Sequence, residues 1–149
     1  MRAVVQRVAR AAVSVDQRIV GAINDGLTVL VSVGVDDDES DAHAMSEKIA
    51  GLRIFNDDDG KMNLSVEDTR GAILLVSQFT LHGDARRGRR PSFVAAAREP
   101  AARTLYEMVG SDLEARGIHV AYGQFGASME LEILNSGPVT ILLDTERVF

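Results

Sequence analysis

The sequence predicts an α/β fold: one domain over residues 1–149, with a mixed, largely antiparallel, barrel-like sheet core and two main helices. Three observations carry this. Residues 27–33 and 73–76 are short apolar runs of the kind that form strands buried on both faces. Two stretches, one with Ala42, Met45, Ile49 and Leu52, the other with Ala101, Leu105, Met108, Val109 and Leu113, repeat apolar residues at helical spacing. The chain has 149 residues, 46% of them hydrophobic and 26% charged, and no repeat, low-complexity tract or linker divides it, so one core is the economical reading.

Taken in order, residues 1–15 are rich in Val and Ala with interspersed Arg and Gln, a strand, and residues 18–23 are its hairpin partner. Asn24-Asp25-Gly26 is a turn signal because all three tolerate positive φ. In the strand 27–33 only Thr28 and Ser32 are polar. The first helix is capped by Asp38 or Ser40, carries Asp41 in its first turn and ends near Gly51. Arg53-Ile54-Phe55 reads as a short strand before the acidic turn 56–60. That turn is not a calcium loop: aligning Gly60 with the glycine of an EF-hand puts Phe55 and Val66 at the first and last ligand positions. The second helix starts at Glu99-Pro100, with Pro100 at its first position, and stops at Gly117. His119 opens a late strand. Two final strands follow, one alternating through Met129, Leu131 and Ile133, the other over residues 139–143, joined by a tight connection at Asn135-Ser136-Gly137-Pro138.

Composition excludes several classes. With no cysteine there is no disulfide, thiolate metal site or cysteine nucleophile. No apolar run approaches membrane-spanning length, and the N-terminus lacks the apolar centre of a signal peptide; a cytoplasmic protein without membrane contact is expected. The net charge of −6 speaks against indiscriminate coating of nucleic acid. Its distribution allows one cationic face on an acidic body: residues 82–103 hold six arginines against Asp84 and Glu99, while acids gather at 36–39 and 57–59.

The chemistry concentrates where the run 73–76 stops. Ser77, Gln78 and Thr80 place two hydroxyls and an amide at the end of a buried strand, and Arg86, Arg87, Arg89 and Arg90 follow, broken by Gly88 and closed by Pro91. A rigid polar corner beside a cationic loop suits a small reacting group carried on a large anion. Gly83 to Arg90 is not a phosphate-binding loop, since Arg89 and Arg90 stand where Lys and Ser or Thr are needed. Only His43, His82 and His119 offer imidazoles, and neither a nucleophile elbow nor a zinc-binding H-E-x-x-H is present. No metal or cofactor is expected. What remains is a corner whose hydroxyls and turning backbone N–H groups can hold an oxyanion.

These residues resemble the D-aminoacyl-tRNA deacylases, also called D-tyrosyl-tRNA deacylases. The resemblance is carried by MRAVVQRV, LRIFNDDDGKMNLS, VSQFTL, GRRPSF, FGASM and NSGPVT, six motifs in register over essentially the whole chain. It implies a homodimer of mixed α/β architecture with active sites at the subunit interface, acting on tRNA aminoacylated at its 3′ end. The implied reaction is hydrolysis of the ester joining a D-amino acid to the terminal ribose, with L-aminoacyl groups rejected and glycyl-tRNA accepted. By the resemblance Ser77, Gln78, Phe79 and Thr80 form one wall of the pocket. Gly137 and Pro138, joined by a cis bond, reach into the partner's pocket, where their carbonyls face the α-carbon and block an L side chain.

Two mechanisms stay open: Thr80 as nucleophile, or the substrate 2′-OH assisting water while N–H groups near Phe79 and Thr80 hold the oxyanion. The second is favoured because no base accompanies Thr80. Gln78 would orient the ribose or backbone and Ser77 would steady the corner. Phe125, Ala127 and Met129 would line the adenosine or aminoacyl pocket, though Met129 serves equally as core. Arg86, Arg87, Arg89 and Arg90 would meet acceptor-stem phosphates. Two departures from the family pattern are His82-Gly83 after SQFTL and Ser136 where Asp is frequent. The alternatives are a non-catalytic RNA-binding dimer worked by the arginine loop, and a peptidyl-tRNA hydrolase, for which no base can be placed.

Overall fold

The computed structural model describes residues 1–148; Phe149, counted in the single-domain expectation, lies outside the described residues. The sheet is organised on β1 (Arg2–Val15). Along one edge it pairs antiparallel with β2 (Arg18–Ile23) and then β3 (Gly26–Ser32), in register from Val15↔Arg18 to Arg2↔Ser32. The hairpin reverses at Asp16 and Gln17, whose φ angles of 49° and 63° fit a two-residue loop between right-twisted strands. The turn predicted at Asn24-Asp25-Gly26 is only a bend, because β2 and β3 run on in one direction along β1.

The other edge of β1 is taken by β8 (Glu130–Asp144), from Arg2↔Asp144 to Ser14↔Glu130. This corrects the expectation of two final strands joined by a tight connection. The long β1 offers a partner to both halves, so Asn135-Ser136-Gly137-Pro138 does not reverse the chain. It starts a bulge instead: Asn135 faces Val8 and Thr140 faces Gln6, so four residues of β8 stand opposite Arg7.

On the far side of β3 the pairing turns parallel, with β6 (Ala72–Ser77) in register from Gly26↔Ala72 to Val31↔Ser77, and β7 (Val120–Tyr122) beside β6. The sheet is therefore mixed and largely antiparallel, and it curls nearly closed. At Gly21 in β2 a Cβ would stand 2.5 Å from the carbonyl oxygen of Tyr122 in β7, a close approach that only glycine permits.

The two main helices are α1 (Glu39–Gly51) and α3 (Ala101–Ala115). Asp38 caps α1: its carboxylate accepts from the N–H groups of Ser40 and Asp41, and Asp41 returns a bond to the Asp38 N–H. Pro100 is the cap of α3 rather than its first helical residue, and the Glu99-Pro100 bond is cis. Between these helices lie a small hairpin, β4 (Phe55–Asn56) and β5 (Met62–Leu64), and a four-residue helix, α2 (Val66–Thr69). The strand expected from Arg53 begins at Phe55. The acidic turn is held by Asp57, which accepts from the N–H groups of Asp59 and Lys61 at 3.0 Å each.

The core has two parts. Ile73 and Leu75 pack with Val29, Val31, Ile49 and Val109 under the helices, while Leu74 and Val76 pack with Val8, Ala11 and Val13 inside the curl. β6 is thus buried on both faces, as its apolar run predicts.

Candidate active site

Because β3 and β6 are parallel, their carboxyl ends lie side by side, with Ser77 opposite Val31. The chain leaves β6 through Gln78, whose N–H donates to the Val31 carbonyl at 2.7 Å, and winds into a single 3₁₀ turn from Phe79 to His82. A cleft of about 550 Å³ opens at this end of the sheet. One wall is Ser32, Ser77, Gln78 and Phe79; the other is Phe125, Ala127 and Met129; Ala102 and Tyr106 of α3 close the back, and Phe93, Arg98 and Glu99 rim it. The structure thus brings two separate motifs, SQFTL and FGASM, to one cavity.

The polar groups of the corner are mutually engaged. The Gln78 amide donates to the Thr80 hydroxyl, and no imidazole or carboxylate touches that hydroxyl among the described residues. The Gln78 carbonyl accepts from the Leu81 N–H at 3.2 Å, the Thr80 carbonyl from the Gly83 N–H at 2.9 Å, and the Leu81 carbonyl from Arg2 at 3.2 Å. As the first residues of a 3₁₀ turn, Phe79 and Thr80 have N–H groups without intrahelical acceptors, and Gln78 gives no side-chain cap. Phe79 is 56% exposed and meets the edge of Phe93 at 5.2 Å between ring centroids.

Behind the opposite wall, Phe125 is packed between Tyr106, at 5.5 Å, and the Arg103 guanidinium, 4.7 Å from its ring centroid. Arg103 is in turn held by Glu99 through two bonds of 3.1 and 2.7 Å. Tyr106 donates its hydroxyl to the Leu75 carbonyl at 2.9 Å, and burial pushes its ionisation far above the ordinary range, so it acts as a neutral strut.

The remaining expected residues, Thr80 among them, lie outside the lining. Gly137 and Pro138 sit in the β8 bulge, joined by a cis bond, with Gly137 at φ 123°. Arg7 pins the bulge: its Nε donates to the Ser136 carbonyl at 3.1 Å, and its Nη1 donates to the Ile54 carbonyl at 2.7 Å and to Asn56 at 3.3 Å. Sequence reading passed over Arg7; its signal is a charged residue that interrupts the Val and Ala of β1. Arg86, Arg87, Arg89 and Arg90 cap a loop whose stem is the pair of backbone bonds between Asp84 and Ser92, 2.8 and 2.9 Å. Arg86 is bound by the Asp84 carboxylate at 2.9 and 2.7 Å, which holds that carboxyl far below its usual range, whereas Arg87, Arg89 and Arg90 are exposed with no carboxylate partner among the described residues.

Two further residues are brought to the corner, Ser32 and His82. They are 2% and 6% exposed, and Ser32 Oγ lies 2.6 Å from His82 Nδ1. Their signal in the sequence is a serine in an apolar strand and a histidine where the turn enters the core. Among the described residues no group of His, Cys, Asp or Glu side chains is arranged to hold a metal ion.

A model of the family described as D-Tyr-tRNA(Tyr) deacylase matches residues 4–144. A protein of Koribacter versatilis (strain Ellin345) named D-aminoacyl-tRNA deacylase is 58% identical over 149 residues, which is 100% of both chains. A solved structure named c-Myc DNA Unwinding Element Binding Protein superposes with a TM-score of 0.91 at 38% identity, covering 97% of this chain and 99% of that one. Another, of a probable eukaryotic D-amino acid tRNA deacylase, has a TM-score of 0.81 at 18% identity over 95% and 97% of the two chains, a likeness of fold.

Proposed function

The chain belongs to the D-Tyr-tRNA(Tyr) deacylase family, and on that premise we propose that its cleft hydrolyses the ester of D-aminoacyl-tRNA and spares the L ester. The enzyme is a D-aminoacyl-tRNA deacylase, a hydrolase of aminoacyl-tRNA esters, and tRNA is its substrate. The observation that carries the finer reading is the meeting of the SQFTL corner and the FGASM segment across one cleft at the carboxyl ends of parallel strands.

An aminoacyl ester is already activated, so positioning and oxyanion stabilisation are sufficient catalysis. The N–H groups of Phe79 and Thr80 hold the developing oxyanion, and the substrate's 2′-OH assists the attacking water. The Thr80 hydroxyl is engaged by an amide rather than a base, which favours this route over a covalent threonine. Gln78 orients the ribose or backbone, Ser77 steadies the corner, and Phe125, Ala127 and Met129 cover the adenosine or the acyl group. Arg86, Arg87, Arg89 and Arg90 meet the acceptor-stem phosphates.

Chiral selection is assigned to Gly137 and Pro138 by the family resemblance. They do not line the cleft of their own chain, so they act on the acyl group only if a second copy presents them. This supports a homodimer with active sites at its interface. β8 supports it too, being an edge strand with Leu134 and Leu142 exposed. Glycine has no side chain to reject, so glycyl-tRNA is a substrate as well. One domain, residues 1–149, performs all of this in the cytoplasm without metal or cofactor. No helix among the described residues is long and apolar enough to cross a membrane.

The test is hydrolysis of matched D-tyrosyl-, L-tyrosyl- and glycyl-tRNA by the purified protein, with and without EDTA. Rapid loss of the D and glycyl esters with the L ester spared, unaffected by EDTA, is the expected result. Gly137→Ala is expected to erode the D-over-L preference, since its Cβ would lie 2.8 Å from Arg7 Nη2 and from Val139 Cγ2. Survival of all three esters while the tRNA still binds would leave the arginine loop as the working surface. Light scattering at micromolar protein checks the dimer.

A further inference from the structure

We propose that Ser32 and His82 are positioning residues of the reaction: together they hold the Phe79 carbonyl and so set the direction of the Thr80 N–H beside the cleft. The inference rests on the deacylase reading and deepens it.

The bonding follows from counting protons. Ser32 Oγ donates to the Phe79 carbonyl at 3.3 Å, and a hydroxyl has one proton to give. The 2.6 Å contact with His82 is then an Nδ1–H donating to Ser32 Oγ, which fixes the imidazole tautomer. A relay runs from His82 through Ser32 to Phe79. The Ser32–His82 contact is buried, with Ser32 2% and His82 6% exposed, so solvent does not readily replace the imidazole. That burial also keeps the Ser32 hydroxyl from acting as a nucleophile.

The consequence comes from peptide geometry. The carbonyl of Phe79 and the N–H of Thr80 belong to one planar trans unit and point in opposite directions. Ser32 draws the carbonyl down onto the end of β3, so the Thr80 N–H is turned away from the sheet. The neighbouring unit is set in the same way: the Gln78 carbonyl is engaged by the Leu81 N–H, which turns the Phe79 N–H outwards. Arg2 fixes the Leu81–His82 unit through the Leu81 carbonyl. Of these anchors the middle one depends on the Ser32–His82 pair, and it governs the Thr80 amide.

The test uses Ser32→Ala, His82→Ala, His82→Asn and the double Ala variant on D-tyrosyl-tRNA. Ser32→Ala and His82→Ala are each expected to lower kcat about tenfold, a fraction of the loss seen when an oxyanion donor is removed outright. KM should stay within about twofold of the wild type, because the substrate is bound by other groups. The Asn side chain can place an N–H where Nδ1–H stands, so His82→Asn should keep kcat within about threefold. The double variant should be no worse than Ser32→Ala, as one relay is broken once.

An amide NMR spectrum gives a readout that needs no catalysis. The Thr80 cross-peak should shift in Ser32→Ala and His82→Ala and stay in place in His82→Asn. An unchanged kcat in Ser32→Ala, losses that multiply in the double variant, or a stationary Thr80 signal would overturn the proposal. If the wild type spares every ester, the deacylase reading fails by itself, and the Thr80 signal still decides whether the pair sets the corner.

Discussion

His82 is a histidine kept from its proton. Burial lowers its pKa from the ordinary 6.5, Arg2 and the Met1 α-amino group push the same way, and Asp37 and Asp144 oppose them without prevailing. In the unfolded chain the imidazole takes up a proton as pH falls through about 6.5, while the folded protein resists until a lower pH. Between those values the unfolded state binds more protons, so stability declines as pH falls through that window. Urea unfolding should accordingly give a lower midpoint at pH 5 than at pH 7.5, and His82→Asn should flatten that difference; equal pH dependence in both proteins would contradict it. At this scale the sequence was informative about residue type and silent about partners. Ser77, Gln78 and Phe79 stand out as polar or aromatic residues ending an apolar run, and they do line the cleft. Ser32 and His82 are 50 residues apart, and no spacing rule joins them. Arg7 and Ser136 are 129 residues apart and equally unconnected in the sequence.

At the scale of elements, the strands and helices with strong periodicity were legible and the connections were not. The bounds of α1 follow from Asp38, Asp41 and Gly51, because capping is a local matter. The four residues of α2 went unread, although Ser65 and Asp68 make a capping box there, because so short a helix has no periodicity. Asn24-Asp25-Gly26 and Asn135-Ser136-Gly137-Pro138 have the composition of turns and become a bend and a bulge. In both places a long neighbouring strand decides, since β1 keeps pairing on either side of the irregularity. β6 is the element on which both halves of the core depend. Leu74 is fully buried inside the curl. Leu74→Ala should therefore destabilise the protein by about 3 kcal/mol, measured by urea unfolding. A loss below about 1 kcal/mol would mean that the curl can collapse around the void.

Over the whole molecule, charge is divided rather than merely negative. The acids of residues 36–39 and 57–59 are separate in sequence from the arginine loop, and Asp84 pairs with one of its four arginines. Among the described residues Arg87, Arg89 and Arg90 have no carboxylate partner. Replacing Arg87, Arg89 and Arg90 together by Ala should weaken tRNA binding and reduce the slope of log affinity against log salt by about 2 to 3. Arg86→Ala alone should change that slope less than any of those three singly, and filter binding across a salt series would show it. The β1–β8 pairing has a different consequence, for biogenesis. It joins two strands far apart along the sequence, so this ladder cannot close until β8 has been synthesised. Until then β1 carries an unsatisfied edge, and a nascent chain stalled before residue 130 would present that edge to other chains.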